Sequence, residues 1–270
     1  MAAPPPLPSA HAVSGGVEGG GVAEMVRPAR VTCFGDSLTQ FGSRVSEDAG
    51  GVGWVALLQE ALERKADVVN RGYSGYTSTM ALAVAPLVLG TGFSGAENGT
   101  HVLTILLGTN DATAAGNSQH VDVDEYKRNL TDIVRLVLSQ GAADAVLLIT
   151  PPGVCDAMLA NANERSNARV RPYARACAEV ASMTEWAEGR VVCVDLHAQT
   201  ASPSNAEFFS DGIHLSGRGN ALVASLVLER IWRMIPDQRD LPNWDALVGL
   251  SPDEVKRAAQ AHHEANKRAE

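Results

Sequence analysis

The sequence has no excess of basic residues and no apolar run long enough to cross a membrane. It contains 22 Lys and Arg against 31 Asp and Glu in 270 residues, so the net charge is −9 and the pI is near 5.3. Nucleic acids and anionic membrane surfaces attract basic proteins, so we expect neither as a partner. A spanning helix needs about 20 apolar residues, so we expect no stable membrane insertion.

Motifs for cofactors and metals are also missing. The four cysteines show no Cys-x-x-Cys spacing, and Cys33 and Cys193 lie in apolar runs typical of buried strands. No Gly-x-Gly-x-x-Gly follows a strand-like run, which argues against a dinucleotide site. Aromatic residues make up 5% of the chain, which is few for a carbohydrate site that binds by stacking. We therefore expect reduced thiols, no cofactor and no metal.

The first 29 residues are rich in Ala, Pro and Gly, and they lack the basic start and apolar centre of a secretory signal. This composition predicts a disordered tail over residues 1–29. We expect a cytoplasmic protein, and organellar targeting by this tail stays open as the alternative.

Apolar, β-branched runs alternate with helical patterns along the rest of the chain. Runs without polar alternation are typical of strands covered on both faces of a parallel sheet. The runs are 30–35, 66–70, 101–108, 145–150 and 190–196, and amphipathic helices are predicted at 53–65, 123–140, 165–188 and 220–235. With 45% hydrophobic residues, the chain can bury one large core, and this order predicts a three-layer α/β/α domain over 30–236.

The pattern changes beyond Pro236. We predict an extended segment over 237–250 that packs on the domain or on a partner subunit, so a homodimer through this segment is a hypothesis. Its large apolar residues are Leu241, Trp244 and Leu247. Ser251 and Glu254 have the spacing of a capping box, which predicts a charged C-terminal helix over 251–270.

Polar residues follow the predicted strands at several places. Ser37 comes just after the first strand, Gly75 after the second, Asn110 after the third, and the pair Asp211 and His214 after the last. Since ligands bind beyond the carboxyl ends of parallel strands, we expect these residues at one edge of the sheet.

These residue types fit acyl transfer, which requires an activated nucleophile, an oriented base and donors for the developing oxyanion. Ser37 would be the nucleophile, His214 the general base and Asp211 the group that orients the imidazole. The oxyanion would be bound by the N–H groups of Ser37 and Gly75 and by the side-chain amide of Asn110. Glycine suits this position because a backbone amide without a Cβ can approach the substrate closely.

Structural readings of the same residues compete with the catalytic one. Ser37 is also a suitable helix N-cap, and Asp36 is interpreted as a structural residue that binds backbone near the nucleophile. Asp211 and His214 could instead be a metal-ligand pair, or a helix-capping Asp beside an incidental His. A metal would need a further ligand nearby, and the local sequence alone does not decide among these readings.

Four stretches of the chain resemble the signature blocks of the SGNH (GDSL-type) hydrolases: "FGDSLTQFG", "NRGYSGYTS", "LLGTNDA" and "DGIHLSGRGN". The resemblance implies an esterase with a flavodoxin-like five-stranded sheet and no metal. It also implies that the signature residues are Ser37, Gly75, Asn110 and His214, with Asp211 as the acidic partner.

Further stretches resemble the isoamyl acetate-hydrolysing esterase branch: "GGVGW", "QHVDVDEYKRNL", "LLITPPGVCD" and "DLPNWDAL". This resemblance covers 30–249 and departs from the branch at Gly153, where a third proline is common. It implies hydrolysis of a small, short-chain, acetate-type ester through an acyl-enzyme. Alternatives are a deacetylase of an acetylated sugar or small metabolite, an acyltransferase, and a non-catalytic binding protein.

Overall fold

The computed structural model describes residues 29–46, 51–89, 100–159, 164–187, 189–202, 204–235 and 241–268. The predicted N-terminal tail lies outside these ranges, except for Ala29, which begins the first strand. Within the described part of the chain, each helix is too short or too polar to cross a bilayer.

Seven strands and eight helices make up the described chain. The strands are β1 (Ala29–Gly35), β2 (Val45–Ser46), β3 (Gly51–Val52), β4 (Ala66–Gly72), β5 (His101–Leu106), β6 (Ala145–Ile149) and β7 (Val191–Val194). The helices are α1 (Ser37–Gln40), α2 (Trp54–Ala61), α3 (Ser78–Val88), α4 (Val123–Ser139), α5 (Asn167–Ala181), α6 (Leu196–Thr200), α7 (Gly217–Ile231) and α8 (Pro252–Arg268).

Five strands form one parallel sheet in the order β4-β1-β5-β6-β7, while β2 and β3 form a small antiparallel hairpin. This order confirms the predicted flavodoxin-like, three-layer architecture. The direction of winding reverses between β1 and β5. In such sheets the crevice at this reversal, beyond the carboxyl ends of the strands, is the usual ligand site.

Helices cover both faces of the sheet, so the inner strands β1, β5 and β6 are buried on both sides. Successive residues of β1 point to opposite faces: Val31 and Cys33 belong to the core under α2 and α7, and Phe34 belongs to the core under α3, α4 and α5. This double coverage explains the continuous apolar runs of the strands.

Trp54, at the start of α2, joins three helices on one face of the sheet. Its ring is fully buried, and its Nε1 donates to the carbonyl of Leu38 in α1 at 2.9 Å. Its backbone N–H donates to Oδ1 of Asn220 in α7 at 3.0 Å. The Trp54 side chain therefore supports the short helix that begins with Ser37.

Helices α3, α5 and α6 differ from the sequence-based prediction. The short helix α6 is absent from it, because its first residue is placed at the end of the predicted strand 190–196. Helix α3 is also absent from the prediction, because the segment is apolar almost throughout and contains Pro86, so it shows little amphipathic contrast. Helix α5 ends at Ala181, several residues before the predicted end at 188. The chain folds back there, and Nε1 of Trp186 donates to the carbonyl of Val180 at 2.6 Å.

The segment before α8 is held by hydrogen bonds from Arg64 rather than by packing of its tryptophan. Arg64 donates to Oδ1 of Asn243 at 2.8 Å and to the carbonyl of Leu241 at 2.5 Å. Trp244 is 78% exposed and begins a 3₁₀ turn, so of the two predicted surfaces, the domain or a partner subunit, its ring does not pack on the domain. The homodimer stays a prediction. In the predicted capping box, Oε2 of Glu254 accepts from the N–H of Ser251 at 2.8 Å.

The two tryptophans provide a matched test of these contacts. Trp54→Phe should lower the free energy of unfolding by about 1–3 kcal/mol, because the buried carbonyl of Leu38 loses its donor. Trp244→Phe should change it by no more than about 0.5 kcal/mol, because that ring is exposed. Urea denaturation of both variants measures the difference, and equal effects would contradict the bridging role of Trp54.

Candidate active site

The first part of the site is the turn from β1 into α1. A Cβ on Gly35 would lie 2.4 Å from the carbonyl oxygen of Leu106, so only glycine fits beside β5 here. Asp36 is the N-cap of α1, and its Oδ1 accepts from the N–H of Leu38 at 2.9 Å. The structural role predicted for Asp36 is thus confirmed, and it places Ser37 at the first position of the helix.

Ser37, His214 and Asp211 form a continuous chain of hydrogen-bond contacts. Nε2 of His214 lies 3.1 Å from Oγ of Ser37, and Nδ1 lies 2.6 Å from Oδ2 of Asp211. The other carboxylate oxygen, Oδ1, accepts from the backbone N–H groups of Ile213 and His214 at 2.9 and 2.7 Å. One oxygen of Asp211 therefore shapes the turn while the other orients the imidazole.

The structure gives less support to the alternative interpretations of Asp211 and His214, a helix cap and a metal-ligand pair. The N-cap of α7 is Ser216, which accepts from the N–H of Gly219, so Asp211 does not cap that helix. Within the described ranges, His, Cys, Asp and Glu side chains form no group of three suited to a metal ion.

The turn that carries His214 is fixed on several sides. The N–H of Ser210 donates to the carbonyl of His214 at 2.8 Å, and the N–H of Cys155 donates to the carbonyl of Gly212 at 2.9 Å. Gly212 has a φ of +93°, which favours glycine. The ring of Phe41 packs against the imidazole with 5.3 Å between ring centroids. These contacts hold the imidazole in place beside Ser37.

The hydrogen bonds to Asp211 keep its carboxylate ionised. Partial burial raises the pKa of this group, but hydrogen bonds from the ring and the N–H of His214 and from the N–H of Ile213 outweigh it, so the pKa lies below its ordinary value. An ionised carboxylate beside Nδ1 favours the tautomer in which Nε2 faces Ser37 as a proton acceptor.

Gly75 and Asn110 lie together at the turn that follows β4. Gly75 is the third residue of a turn closed by the bond from Tyr76 N–H to the Tyr73 carbonyl, 3.1 Å, and its φ of +81° suits glycine there. The amide nitrogen Nδ2 of Asn110 donates to the carbonyl of Tyr76 at 2.9 Å. An amide nitrogen carries two hydrogens, so a second donor is left on Nδ2.

The structure therefore brings together all five residues that the sequence places at the site. Tyr73 N–H bonds to the carbonyl of Gly35, and Asp36 N–H bonds to the carbonyl of Leu106. These bonds join the carboxyl ends of β4, β1 and β5, which carry Gly75, Ser37 and Asn110. The residues to which sequence reasoning gave no role are Arg165, Gln119 and Phe41, all of which contact site residues. Phe41 and Gln119 lie within stretches quoted for the resemblance but are not signature residues, and Arg165 lies outside those stretches.

Two buried carboxyl groups lie under the site. Burial raises the pKa of Asp36 to about 7, with the nearby Asp111 adding to the rise while Leu38 N–H and Arg165 oppose it. Burial also raises the pKa of Asp111 to about 6, partly offset by bonds from Ser78. Oδ1 of Asp111 accepts from the N–H of Ser78 at 2.9 Å, so this carboxylate anchors the start of α3.

Gly153, the departure from the branch pattern, lies in the loop that contacts the Gly212 turn. Its N–H donates to Oγ1 of Thr200 at 2.9 Å, a bond that proline could not form. A Cβ there would come within 2.6 Å of Oδ1 of Asn167 and 2.8 Å of the carbonyl of Thr200. The packing of this loop therefore requires glycine.

Comparison with known proteins agrees with this arrangement. Residues 33–222 match the GDSL-like Lipase/Acylhydrolase family. The chain is 34% identical over 241 residues to the isoamyl acetate-hydrolyzing esterase 1 homolog of Rattus norvegicus, a match that covers 83% of this chain and 90% of that protein. It is 38% identical over 203 residues to the Mus musculus homolog, covering 71% of this chain and 76% of the relative.

Solved structures show the same fold. The lipase/acylhydrolase from Enterococcus faecalis superposes with a TM-score of 0.58 at 23% identity, and the match covers 78% of this chain and 99% of that one. At this level of identity the similarity shows the fold.

The raised pKa of Asp36 predicts a pH dependence of stability. An unfolded carboxyl group loses its proton near pH 4, whereas the folded protein holds this proton up to about pH 7. Over this interval the folded state binds the extra proton, so the contribution of Asp36 to the free energy of unfolding falls by about 1.4 kcal/mol per pH unit as the pH rises.

Asp36→Asn should remove this fall, since the amide keeps an acceptor for Leu38 and does not titrate. Urea denaturation at several pH values should show the variant gaining stability over the wild type as the pH rises from about 4 to about 7. The exposed Asp253→Asn serves as the control. Parallel curves for Asp36→Asn and wild type would contradict the burial of a neutral carboxyl group.

Proposed function

This chain belongs to the GDSL-like lipase/acylhydrolase family and is an ester hydrolase, and we propose that it cleaves short-chain, acetate-type esters through an acyl-enzyme on Ser37. The observation that carries the mechanism is the unbroken contact from Ser37 through His214 to Asp211, with 3.1 and 2.6 Å between the contacting atoms. Both distances are within the range for proton transfer along a nucleophile–base–acid chain.

In the first half of the reaction, Oγ of Ser37 attacks the ester carbonyl carbon while Nε2 of His214 takes its proton. Asp211 remains ionised and stabilises the imidazolium that forms. The tetrahedral intermediate then collapses, Nε2 gives the proton to the departing alcohol oxygen, and the acyl group stays on Ser37. In the second half, water attacks the acyl-enzyme with His214 again as base, and the carboxylic acid leaves.

The oxyanion of each tetrahedral intermediate would be bound by the N–H of Ser37, the N–H of Gly75 and the second hydrogen on Nδ2 of Asn110. The position of Ser37 at the start of α1 supports this, because the first N–H groups of a helix have no partner within the helix. Donors that are already in place cost no reorganisation when charge develops on the oxygen.

The preference for small acyl groups rests on two supports. Two relatives, each matched over most of its own length, are named isoamyl acetate-hydrolyzing esterase 1 homolog. Ser37 is 7% exposed and Asn110 is 6% exposed, so an acyl group bound beside them has to fit into a confined space. The substrate we propose is therefore an ester with a short acid part.

A series of p-nitrophenyl esters tests the substrate class. The rate should be highest for acetate and fall steeply toward decanoate, because the longer chain does not fit beside Ser37. Ser37→Ala should lose turnover of every ester, since the nucleophile is gone. A preference for decanoate would contradict the short-chain proposal, and turnover equal to the wild type in Ser37→Ala would contradict the mechanism.

Two further substitutions separate the mechanistic roles. Asn110→Ala should lower kcat by about 10²–10³-fold through loss of one oxyanion donor. Asp211→Asn should lower kcat by orders of magnitude, because an amide nitrogen facing Nδ1 favours the wrong tautomer of His214. Steady-state kinetics with circular dichroism as a fold control measure both. Wild-type kcat in Asp211→Asn would remove this residue from the triad.

A further inference from the structure

We propose that Arg165 and Gln119 are positioning residues that set the orientation of the oxyanion donors, an inference that rests on the hydrolytic function proposed above. Neither residue comes directly after the end of a strand, where the five predicted site residues are expected. Arg165 lies just before Ser166, the N-cap of α5, and Gln119 lies in the loop between β5 and α4. Together they link the two loops that carry Gly75 and Asn110.

The guanidinium of Arg165 contacts three oxygen acceptors around the site. Nη1 donates to the carbonyl of Thr109 at 2.6 Å. Nη2 donates to Oε1 of Gln119 at 3.1 Å and to Oδ1 of Asn110 at 3.3 Å. Because a guanidinium is planar and its donors are fixed relative to one another, these bonds constrain all three acceptors at once.

The bond to Asn110 determines which way its amide faces. Oδ1 accepts from Arg165 while Nδ2 donates to the carbonyl of Tyr76. A flipped amide would place its NH₂ group against the guanidinium and its oxygen against a carbonyl, so both bonds would become repulsive. Arg165 thereby keeps Nδ2, the proposed oxyanion donor, on the side of Ser37.

Gln119 extends the same control to Gly75. With Oε1 bonded to Arg165, the amide nitrogen Nε2 is directed to the carbonyl of Gly75 and donates to it at 2.8 Å. On the other side of the turn, Oε1 of Gln40 accepts from the N–H of Ser74 at 2.7 Å. The N–H of Gly75 lies between these two anchored groups, so its direction is constrained from both sides.

The surroundings of Arg165 are consistent with a charged side chain that holds neighbouring groups in place. The side chain is partly buried, and the carboxylates of Glu164 and Asp211 supply negative charge near it. Lysine at this position would keep the charge but would lack the planar arrangement of donors. The proposed role therefore depends on the shape of the guanidinium as well as on its charge.

The first test compares Arg165→Ala with wild type under steady-state conditions on p-nitrophenyl acetate. Loss of a charged hydrogen-bond donor to the oxyanion machinery should lower kcat by about 10- to 100-fold, with KM changed little. Arg165→Lys should show most of the same fall in kcat. The exposed Arg169→Ala on α5 is the control and should match wild type. Wild-type kcat in Arg165→Ala or in Arg165→Lys would overturn the proposal.

A double-substitution cycle separates positioning from a general effect on the fold. If Arg165 acts through Asn110, then Arg165→Ala should cost much less in an Asn110→Ala background than it does in the wild type. If the fold-reductions in kcat of the two single substitutions simply multiply in the double variant, this part of the proposal is overturned. Thermal unfolding of each variant shows whether the protein remains folded in the assay.

Gln119→Glu tests the hydrogen bond from Gln119 to the carbonyl of Gly75 while Arg165 stays in place. The carboxylate still accepts from Arg165 but has no hydrogen to donate to the carbonyl of Gly75, so kcat should fall by about 3- to 10-fold. A boronic acid adduct of Ser37 should weaken in parallel, because its tetrahedral oxygen occupies the oxyanion site. Unchanged kcat and boronate affinity in Gln119→Glu would overturn the link to Gly75.

The outcomes distinguish this inference from the function it rests on. If Ser37→Ala and Asn110→Ala abolish or lower turnover while the Arg165 and Gln119 variants behave as wild type, only the positioning role is wrong. If Ser37→Ala itself keeps wild-type turnover, the proposed mechanism is wrong, and the positioning role fails with it.

Discussion

The position of β1 between β4 and β5 is the constraint on which the rest of the site depends. β1 pairs with β4 on one side and with β5 on the other, both in parallel, so three carboxyl ends meet at one edge. The next residues of these three chain segments are the nucleophile turn, the Gly75 turn and the Asn110 loop. A change that shifted β1 against either neighbour would move Ser37 relative to the groups proposed to bind the oxyanion.

Placing a polar site over this edge leaves polar groups in the interior. In the described part of the chain, buried oxygens such as Oδ2 of Asp36, Oδ2 of Asp111 and Oγ1 of Thr39 have no hydrogen-bond partner. Unpartnered buried oxygens are costly, and the raised pKa values of both carboxyl groups reflect the same desolvation. The apolar cores on the two faces of the sheet offset this cost, so the domain can hold unpartnered polar groups next to the site.

Support for the site comes from several separate parts of the chain. The turn at Asp211 is braced by Cys155, and Trp54 supports α1. Arg165 reaches Asn110 from the start of another helix. The Rattus norvegicus relative matches 83% of this chain, so the similarity extends beyond the signature blocks.

The amino-acid sequence by itself determined the fold class and singled out five candidate site residues. Continuous apolar runs predict parallel strands because both faces are buried, and Ser37, Gly75, Asn110, Asp211 and His214 each belong to a short local pattern. The tertiary structure alone decided that α3 is a helix, that Trp244 is exposed, and that Arg165 and Gln119 contact the site. Those outcomes depend on contacts between residues far apart in the chain, which no local periodicity or spacing encodes.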